Sequence, residues 1–202
     1  YWSYGFNTYE STASSRSFRL NQTRTTLTVF NPSLKAAPDK KIQFAVVGGG
    51  VIGGGWVARF LLMGLDVKIF DPDPEAERKI SQVIENARRS LPGLFEYLLP
   101  DEGSLIFCST IGEAVSDAQW ICEAIPERLN LKHKVFTEIQ AHCSKDAIIA
   151  SSTSGFKPSE LQAVSSNPEQ IIVAHPFNPV YLIPLVELGG QLKTTEKATP
   201  IL

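Results

Sequence analysis

Long apolar runs, paired cysteines and an excess of charge of either sign are all missing from this chain of 202 residues. Each absence removes a class of protein. No apolar stretch is long enough to cross a bilayer as a helix, so no membrane partner is expected. The net charge of −2 supplies no field for nucleic acid or for an anionic membrane surface. Three cysteines, Cys108, Cys122 and Cys143, form no C-x-x-C pair, and the first and second sit in strand-like runs where a thiol behaves as a small hydrophobe. An odd count without a framework fits a reducing compartment, and the chain reads as cytoplasmic. No metal-ligand spacing links His133, His142, His175 and the cysteines, so no metal is expected. Acids are scarce in residues 1–40, with Glu10 and Asp39 against Arg16, Arg19 and Arg24 among many Ser, Thr and Asn. That stretch is expected to be a disordered or non-native tail; as a genuine transit segment it would make the protein mitochondrial instead. The only methionine, Met63, lies well inside the chain, which therefore reads as a fragment or a processed product.

What is present is concentrated in Ile42-Gln-Phe-Ala-Val-Val-Gly-Gly-Gly-Val-Ile-Gly53. An apolar, β-branched run enters Gly48-x-Gly50-x-x-Gly53, and a helical pattern follows through Trp56, Val57, Phe60, Leu61 and Leu62. Strand, glycine turn and helix in that order form the context of a dinucleotide-binding fingerprint. Gly48 permits the tight turn, Gly50 lets the backbone approach a pyrophosphate, and Gly53 lets the helix pack close to the strand. With Gly49, Val51 and Ile52 these residues form the expected phosphate cradle at a helix N-terminus. Asp71 ends the next apolar run, roughly twenty positions beyond Gly48. A carboxylate there accepts hydrogen bonds from the adenosine ribose and repels a 2′-phosphate, so NAD is favoured over NADP.

Strand and helix patterns then alternate through residues 41–190. Strands are expected at Ile42–Val47, Val67–Phe70, Leu105–Ser109, Trp120–Ile125, Ala147–Ser151, Gln170–Ala174 and Leu185–Leu188. Helices are expected at Ile52–Met63, Glu75–Ser90, Glu113–Ala118, Leu129–His142 and Pro158–Val164. This alternation predicts an α/β fold, a Rossmann-type doubly wound and mostly parallel sheet, with ligands at the carboxyl ends of its strands. Residues 191–202 read as the start of a further element.

Polar residues gather where those strands end. Ser151-Ser-Thr-Ser-Gly155 follows the fifth strand, His175-Pro-Phe-Asn-Pro179 follows the sixth, and Glu187 lies in the last. A histidine at a strand end, with a near-neutral pKa, suits removal of a hydroxyl proton while hydride leaves the same carbon. A carboxylate on its other ring nitrogen would favour the imidazolium that forms. Taken alone, His175 reads equally well as a structural histidine; the hydroxyl cluster and the acid turn the reading toward catalysis.

Gly48-x-Gly50-x-x-Gly53, Glu123-Ala-Ile-Pro-Glu127, Ser151-Ser-Thr-Ser154, His175-Pro-Phe-Asn-Pro179 and Leu185-Val-Glu187 together resemble the nucleotide-binding half of the 3-hydroxyacyl-CoA dehydrogenase superfamily. The resemblance implies that His175 is the catalytic base, Glu187 its orienting partner and Ser154 a donor to the substrate oxygen. It also implies that Glu127 and Lys132 line the nicotinamide ribose and that Asn178 shapes the cofactor pocket. Read from their residue types alone, Glu127 and Lys132 could be a solvated pair at a helix start, and Asn178 a turn former. Gly53-Gly-Gly-Trp56-Val-Ala-Arg-Phe, Asp71-Pro-Asp-Pro-Glu75 and Ser152-Thr-Ser-Gly-Phe-Lys-Pro-Ser-Glu-Leu161 are similar to the carnitine 3-dehydrogenase branch. The expected small-molecule substrate is thus L-carnitine, with a 3-hydroxyacyl-CoA as the alternative and a non-catalytic, crystallin-like structural role as a second. A quaternary ammonium has no hydrogen-bond donors and is recognised by aromatic faces, which Trp56, Phe156, Phe177 or Tyr181 could supply, though each could equally pack in the core. The resemblance implies that a helical domain after the nucleotide fold closes the active site and carries a homodimer interface, and that domain is expected to lie beyond this chain.

Overall fold

The computed structural model describes residues 17–20, 23–29, 42–191 and 194. Among the described residues nine strands form one sheet: β1 (Ser17–Leu20), β2 (Thr23–Val29), β3 (Phe44–Val47), β4 (Val67–Phe70), β5 (Leu105–Phe107), β6 (Trp120–Glu123), β7 (Ile148–Ser151), β8 (Ile171–Pro176) and β9 (Leu185–Gln191). The helices are α1 (Val51–Leu62), α2 (Ala76–Ser90), α3 (Ile111–Val115), α4 (Leu129–His142) and α5 (Pro158–Gln162). Strand order is β1-β2-β9-β8-β7-β6-β3-β4-β5. The pairings from β5 through β8 are parallel, whereas β9 runs antiparallel to β8, and β2 and β1 add antiparallel beyond it. Within the stretch expected to be a tail, β1 and β2 thus join the sheet edge; the rest of residues 1–40 lies outside the described residues. The doubly wound, mostly parallel sheet is the architecture that the alternating pattern predicts.

Burial explains why the inner strands read as continuous apolar runs. All four residues of β3, and of β6 and β7, are buried, because both faces of a parallel sheet are covered. Alternation divides them between two cores. Phe44, Val46, Trp120 and Cys122 pack with Trp56, Val57 and Phe60 of α1 and Ile80 and Ile84 of α2. Ala45, Val47, Ile121 and Ile149 face Phe136 and Ile139 of α4 and Ala114 and Val115 of α3. Helix α2 is amphipathic: Ile80, Ile84 and Ala87 are buried, and Glu75–Arg78 and Glu85–Arg88 ion pairs line its exposed face. Helix α3 begins earlier than its apolar pattern predicts. The Thr110 hydroxyl accepts from the Glu113 N–H (3.1 Å) while the Glu113 carboxylate accepts from the Ser109 N–H (2.8 Å), a reciprocal cap that starts the helix at Ile111.

Chain direction determines where a ligand can enter. From β3 the chain winds outward to β4 and β5, then returns to β6 on the other side of β3 and continues to β7 and β8. The strand order therefore reverses between β3 and β6, and the loops at their carboxyl ends splay apart there. Gly48–Gly50 follows β3 and Ala124–Arg128 follows β6, so both motifs flank that crevice.

Candidate active site

The crevice is a cleft of about 610 Å³ lined by Val47, Gly48, Gly50, Asp71, Ala124 and Arg128, among others. Gly48 adopts a φ of +99°, and a β-carbon on it would sit 2.7 Å from the Ala124 carbonyl oxygen. Both facts require glycine. A β-carbon on Gly53 would lie 1.7 Å from the Gly48 oxygen, so the approach of α1 to the turn also excludes any side chain. At Gly50 nothing lies within 4 Å of such a carbon: its face is open to the cleft. Gly50 is the N-cap of α1, and no side chain caps that helix start. Val51 is exposed and Ile52 half-buried. Open backbone, uncapped N–H groups and a positive helix end are what a dinucleotide pyrophosphate needs, and the residues present fit NAD.

Asp71 directly follows the next strand, β4, and lines the same cleft. Its Oδ2 accepts from the Gly49 N–H at 2.5 Å and its Oδ1 from the Asp73 N–H at 2.7 Å. The carboxylate thus braces the glycine turn and keeps unused lone pairs for further donors. Gly49 is packed rather than open, since a β-carbon there would meet Ile80 at 2.8 Å.

Ser154, His175 and Glu187 come together from three chain segments. His175 on β8 and Glu187 on β9 are direct partners in the antiparallel register. The His175 Nδ1 lies 3.8 Å from the Glu187 Oε2, and its Nε2 lies 3.2 Å from the Ser154 Oγ. Ser154 is exposed and His175 half-buried, so the imidazole edge is reachable from solvent. With a proton on Nδ1 facing the carboxylate, Nε2 is an acceptor beside a hydroxyl. That arrangement can take a proton from an alcohol.

Glu127 and Lys132 sit differently from one another. Glu127 is exposed, and its Oε1 accepts from the Thr153 hydroxyl, the Ser154 N–H (3.2 Å) and the Gly155 N–H (3.0 Å). Burial alone would raise its carboxyl, but hydrogen bonds from Thr153 and Gly155 and the Lys132 ammonium outweigh it and hold the group below the usual glutamate range. Lys132 is 1% exposed; its Nζ meets the Glu123 Oε1 at 2.7 Å, the Glu127 Oε2 at 3.2 Å and the Ile125 carbonyl at 3.4 Å. Glu123 and Ser151 belong to this buried network and sequence reasoning gave them no role, although each is a polar residue ending a wholly apolar strand. The Ser151 Oγ donates to the Glu123 Oε2 at 2.5 Å.

Asn178 is exposed in the turn after β8. Of the four aromatics considered for an ammonium, Trp56 is buried, stacks on Phe60 and donates to the Ser152 Oγ at 3.1 Å. Phe156 and Tyr181 pack against the two cores. Phe177 is 37% exposed, and its ring centroid lies 5.8 Å from that of His175.

Comparison with known proteins bears on the fold and the cofactor. The model of the 3-hydroxyacyl-CoA dehydrogenase NAD-binding domain matches residues 43–201. A Ruegeria pomeroyi protein named L-carnitine dehydrogenase/betainyl-CoA thioesterase is 65% identical over 71% of this chain, which covers 30% of that protein. L-carnitine dehydrogenase of Mesorhizobium japonicum is 56% identical over 78% of this chain, which covers 43% of it. The chain therefore spans less than half the length of either relative. Among solved structures, a 5-formyl-3-hydroxy-2-methylpyridine 4-carboxylic acid 5-dehydrogenase, described as an NAD-dependent dismutase, superposes with a TM-score of 0.64 at 33% identity, over 70% of this chain and 46% of that one.

Proposed function

The chain belongs to the 3-hydroxyacyl-CoA dehydrogenase family through its NAD-binding domain, and from that premise we propose that the full protein oxidises the 3-hydroxyl of L-carnitine to the ketone 3-dehydrocarnitine. The observation that carries this reading is the Ser154–His175–Glu187 constellation, with 3.2 Å and 3.8 Å between its members. Identity of 65% and 56% to proteins named for L-carnitine oxidation supports the substrate.

When bound, NAD supplies the acceptor for the hydride from the carbinol carbon. The residues of this chain do the rest. The His175 Nε2 takes the hydroxyl proton as the carbon–hydrogen bond breaks, a general-base contribution worth about 10²–10⁴ in rate. The Ser154 hydroxyl donates to the same oxygen and holds it toward the imidazole. Glu187 faces the other ring nitrogen and stabilises the imidazolium as it forms. Asp71 and the uncapped start of α1 hold the cofactor through its ribose and pyrophosphate. Phe177 offers an exposed ring beside His175, and a trimethylammonium one carbon from the reacting centre would lie within range of such a face.

The test is NADH formation by the full-length protein, with L-carnitine and 3-hydroxybutyryl-CoA offered in parallel. Turnover of carnitine alone supports the proposal. Turnover of the CoA ester alone keeps the base and the cofactor site but overturns the substrate. Silence with both, while NAD still binds, sinks the oxidoreductase reading.

A further inference from the structure

Charge in the crevice between β3 and β6 is sparse and unbalanced. Among the described residues that line it, Asp71 and Arg128 are the charged ones. A dinucleotide brings a negative charge on each phosphate of its pyrophosphate, and Asp71 adds another. The start of α1 offsets only about half a charge through its dipole. The balance calls for a cation, and Arg128 is the lining residue that carries one.

The backbone of Arg128 is held and its side chain is not. Its N–H donates to the Pro126 carbonyl at 2.7 Å, and its own carbonyl accepts from the Leu131 and Lys132 N–H groups at 3.0 Å each. Those bonds fix the residue as the N-cap of α4, a cap in which the side chain takes no part. Arg128 is exposed, and among the described residues its guanidinium has no hydrogen bond or ion pair. Lys68, Lys79 and Arg88, by contrast, are engaged by Asp117, Asp73 and Glu102. The segment leading to Arg128 starts against the glycine turn, since a β-carbon on Gly48 would lie 3.0 Å from the Ile125 nitrogen. Gly50 and Arg128 thus border one cleft from its two walls. The first offers open backbone and the second a planar fork of donors.

We propose that Arg128 binds the cofactor pyrophosphate from the wall opposite the start of α1. A guanidinium matches two phosphate oxygens at once, and no partner among the described residues competes for this one. The assignment deepens the NAD reading of the cleft and rests on it. It is independent of the substrate: Arg128 acts on cofactor affinity, and the proton transfer at His175 is left to its own residues.

The test uses the full-length protein with Arg128→Gln and Arg128→Lys. NADH binding is followed by the fluorescence of NADH itself, and ADP-ribose and adenosine are titrated as competitors. ADP-ribose keeps the pyrophosphate and adenosine lacks it. Arg128→Gln is expected to weaken NADH and ADP-ribose by about tenfold, the low end for a hydrogen bond between charged groups because the residue is open to water. Adenosine should change by less than about twofold, since it carries no charge for the guanidinium to meet. The salt dependence of NADH affinity should flatten in Arg128→Gln, because the charge pair that salt screens is gone. Arg128→Lys keeps the charge without the fork and should fall between the parent and Arg128→Gln. Equal losses for adenosine and ADP-ribose would place Arg128 against the base or in the fold, and would overturn the proposal. Unchanged affinity for NADH and ADP-ribose, with or without a raised KM for L-carnitine, would overturn it as well while leaving the NAD site intact. A parent protein that binds none of the three would overturn the NAD reading, and the proposal with it.

Discussion

His175 and Glu187 face each other across the antiparallel pairing of β8 and β9, with Nδ1 and Oε2 3.8 Å apart. That separation is too long for a hydrogen bond in the resting state and short enough for a charge pair once the imidazole is protonated. In the proposed mechanism Glu187 therefore acts on the state formed during proton transfer. Glu187→Gln keeps the shape and removes the charge. It is expected to lower kcat by about tenfold to a hundredfold, through loss of the charge pair with the imidazolium, and to leave NAD affinity unchanged. Steady-state kinetics with a parallel NAD titration measure this, and equal kcat for the two proteins would remove Glu187 from the mechanism.

His175→Ala removes the proposed base and is expected to cost about 10²–10⁴ in kcat/KM. Retention of activity within about tenfold would mean that another group takes the proton.

Gly50 and Gly53 provide a matched pair of substitutions. Around Gly50 a β-carbon meets nothing within 4 Å, whereas at Gly53 it meets a backbone oxygen at 1.7 Å. Gly50→Ala is expected to leave the melting temperature within a degree or two and to weaken NAD binding, since the methyl projects where the pyrophosphate approaches (about 1 kcal/mol moves Tm by about 2–4 °C in a domain of this size). Gly53→Ala is expected to lower Tm by clearly more than that, because strand and helix must move apart. Thermal unfolding with and without NAD distinguishes them. Equal loss of Tm in both variants would contradict the open face at Gly50.

Asp71 accepts from the Gly49 N–H at 2.5 Å, and we propose that it also receives the cofactor ribose. Asp71→Ala is expected to weaken NAD by about tenfold to a hundredfold, from lost charge-assisted hydrogen bonds, and to narrow the preference over NADP. Titration with both cofactors tests this; an unchanged NAD to NADP ratio would refute the ribose assignment.

Glu127 supplies a pH dependence with a definite sign. Its folded-state carboxyl titrates below the ordinary value of 4.5. Its contribution to stability is therefore complete above that value and is lost as pH falls through the lower folded value. The Tm advantage of the parent over Glu127→Gln should be largest near neutrality and shrink as pH drops below about 4.5. A difference that stays constant to the acid limit would show that the carboxylate is not held by Thr153, Gly155 and Lys132. The group is 44% exposed, so the whole effect is modest.

Much of this was legible from residue order. The strand–glycine–helix unit at Phe44–Leu62 and helix α4 at Leu129–His142 follow from local periodicity and from residues that tolerate tight turns. Where the reading slipped, at the start of α3, a side-chain cap from Thr110 overrode the apolar pattern. The antiparallel strands at Ser17–Leu20 and Thr23–Val29 escaped because two apolar residues in each, Phe18 and Leu20 or Leu27 and Val29, are too few to mark a strand within a stretch rich in Ser, Thr and Arg. Trp56 read as a possible substrate contact, but its burial against Phe60 and its bond to Ser152 depend on residues from elsewhere in the chain.

By itself the sequence determined which elements form, that the cradle must be glycine, and which residues stand at strand ends, because each depends on neighbours within a few positions. Only the tertiary structure decided that Glu187 lies opposite His175 and that Lys132 is buried beside Glu123, Glu127 and the Ile125 carbonyl. It also decided that Glu123 anchors the network. Strand order and register bring those partners together from distant parts of the chain, and burial then sets which of their polar atoms remain available to a ligand.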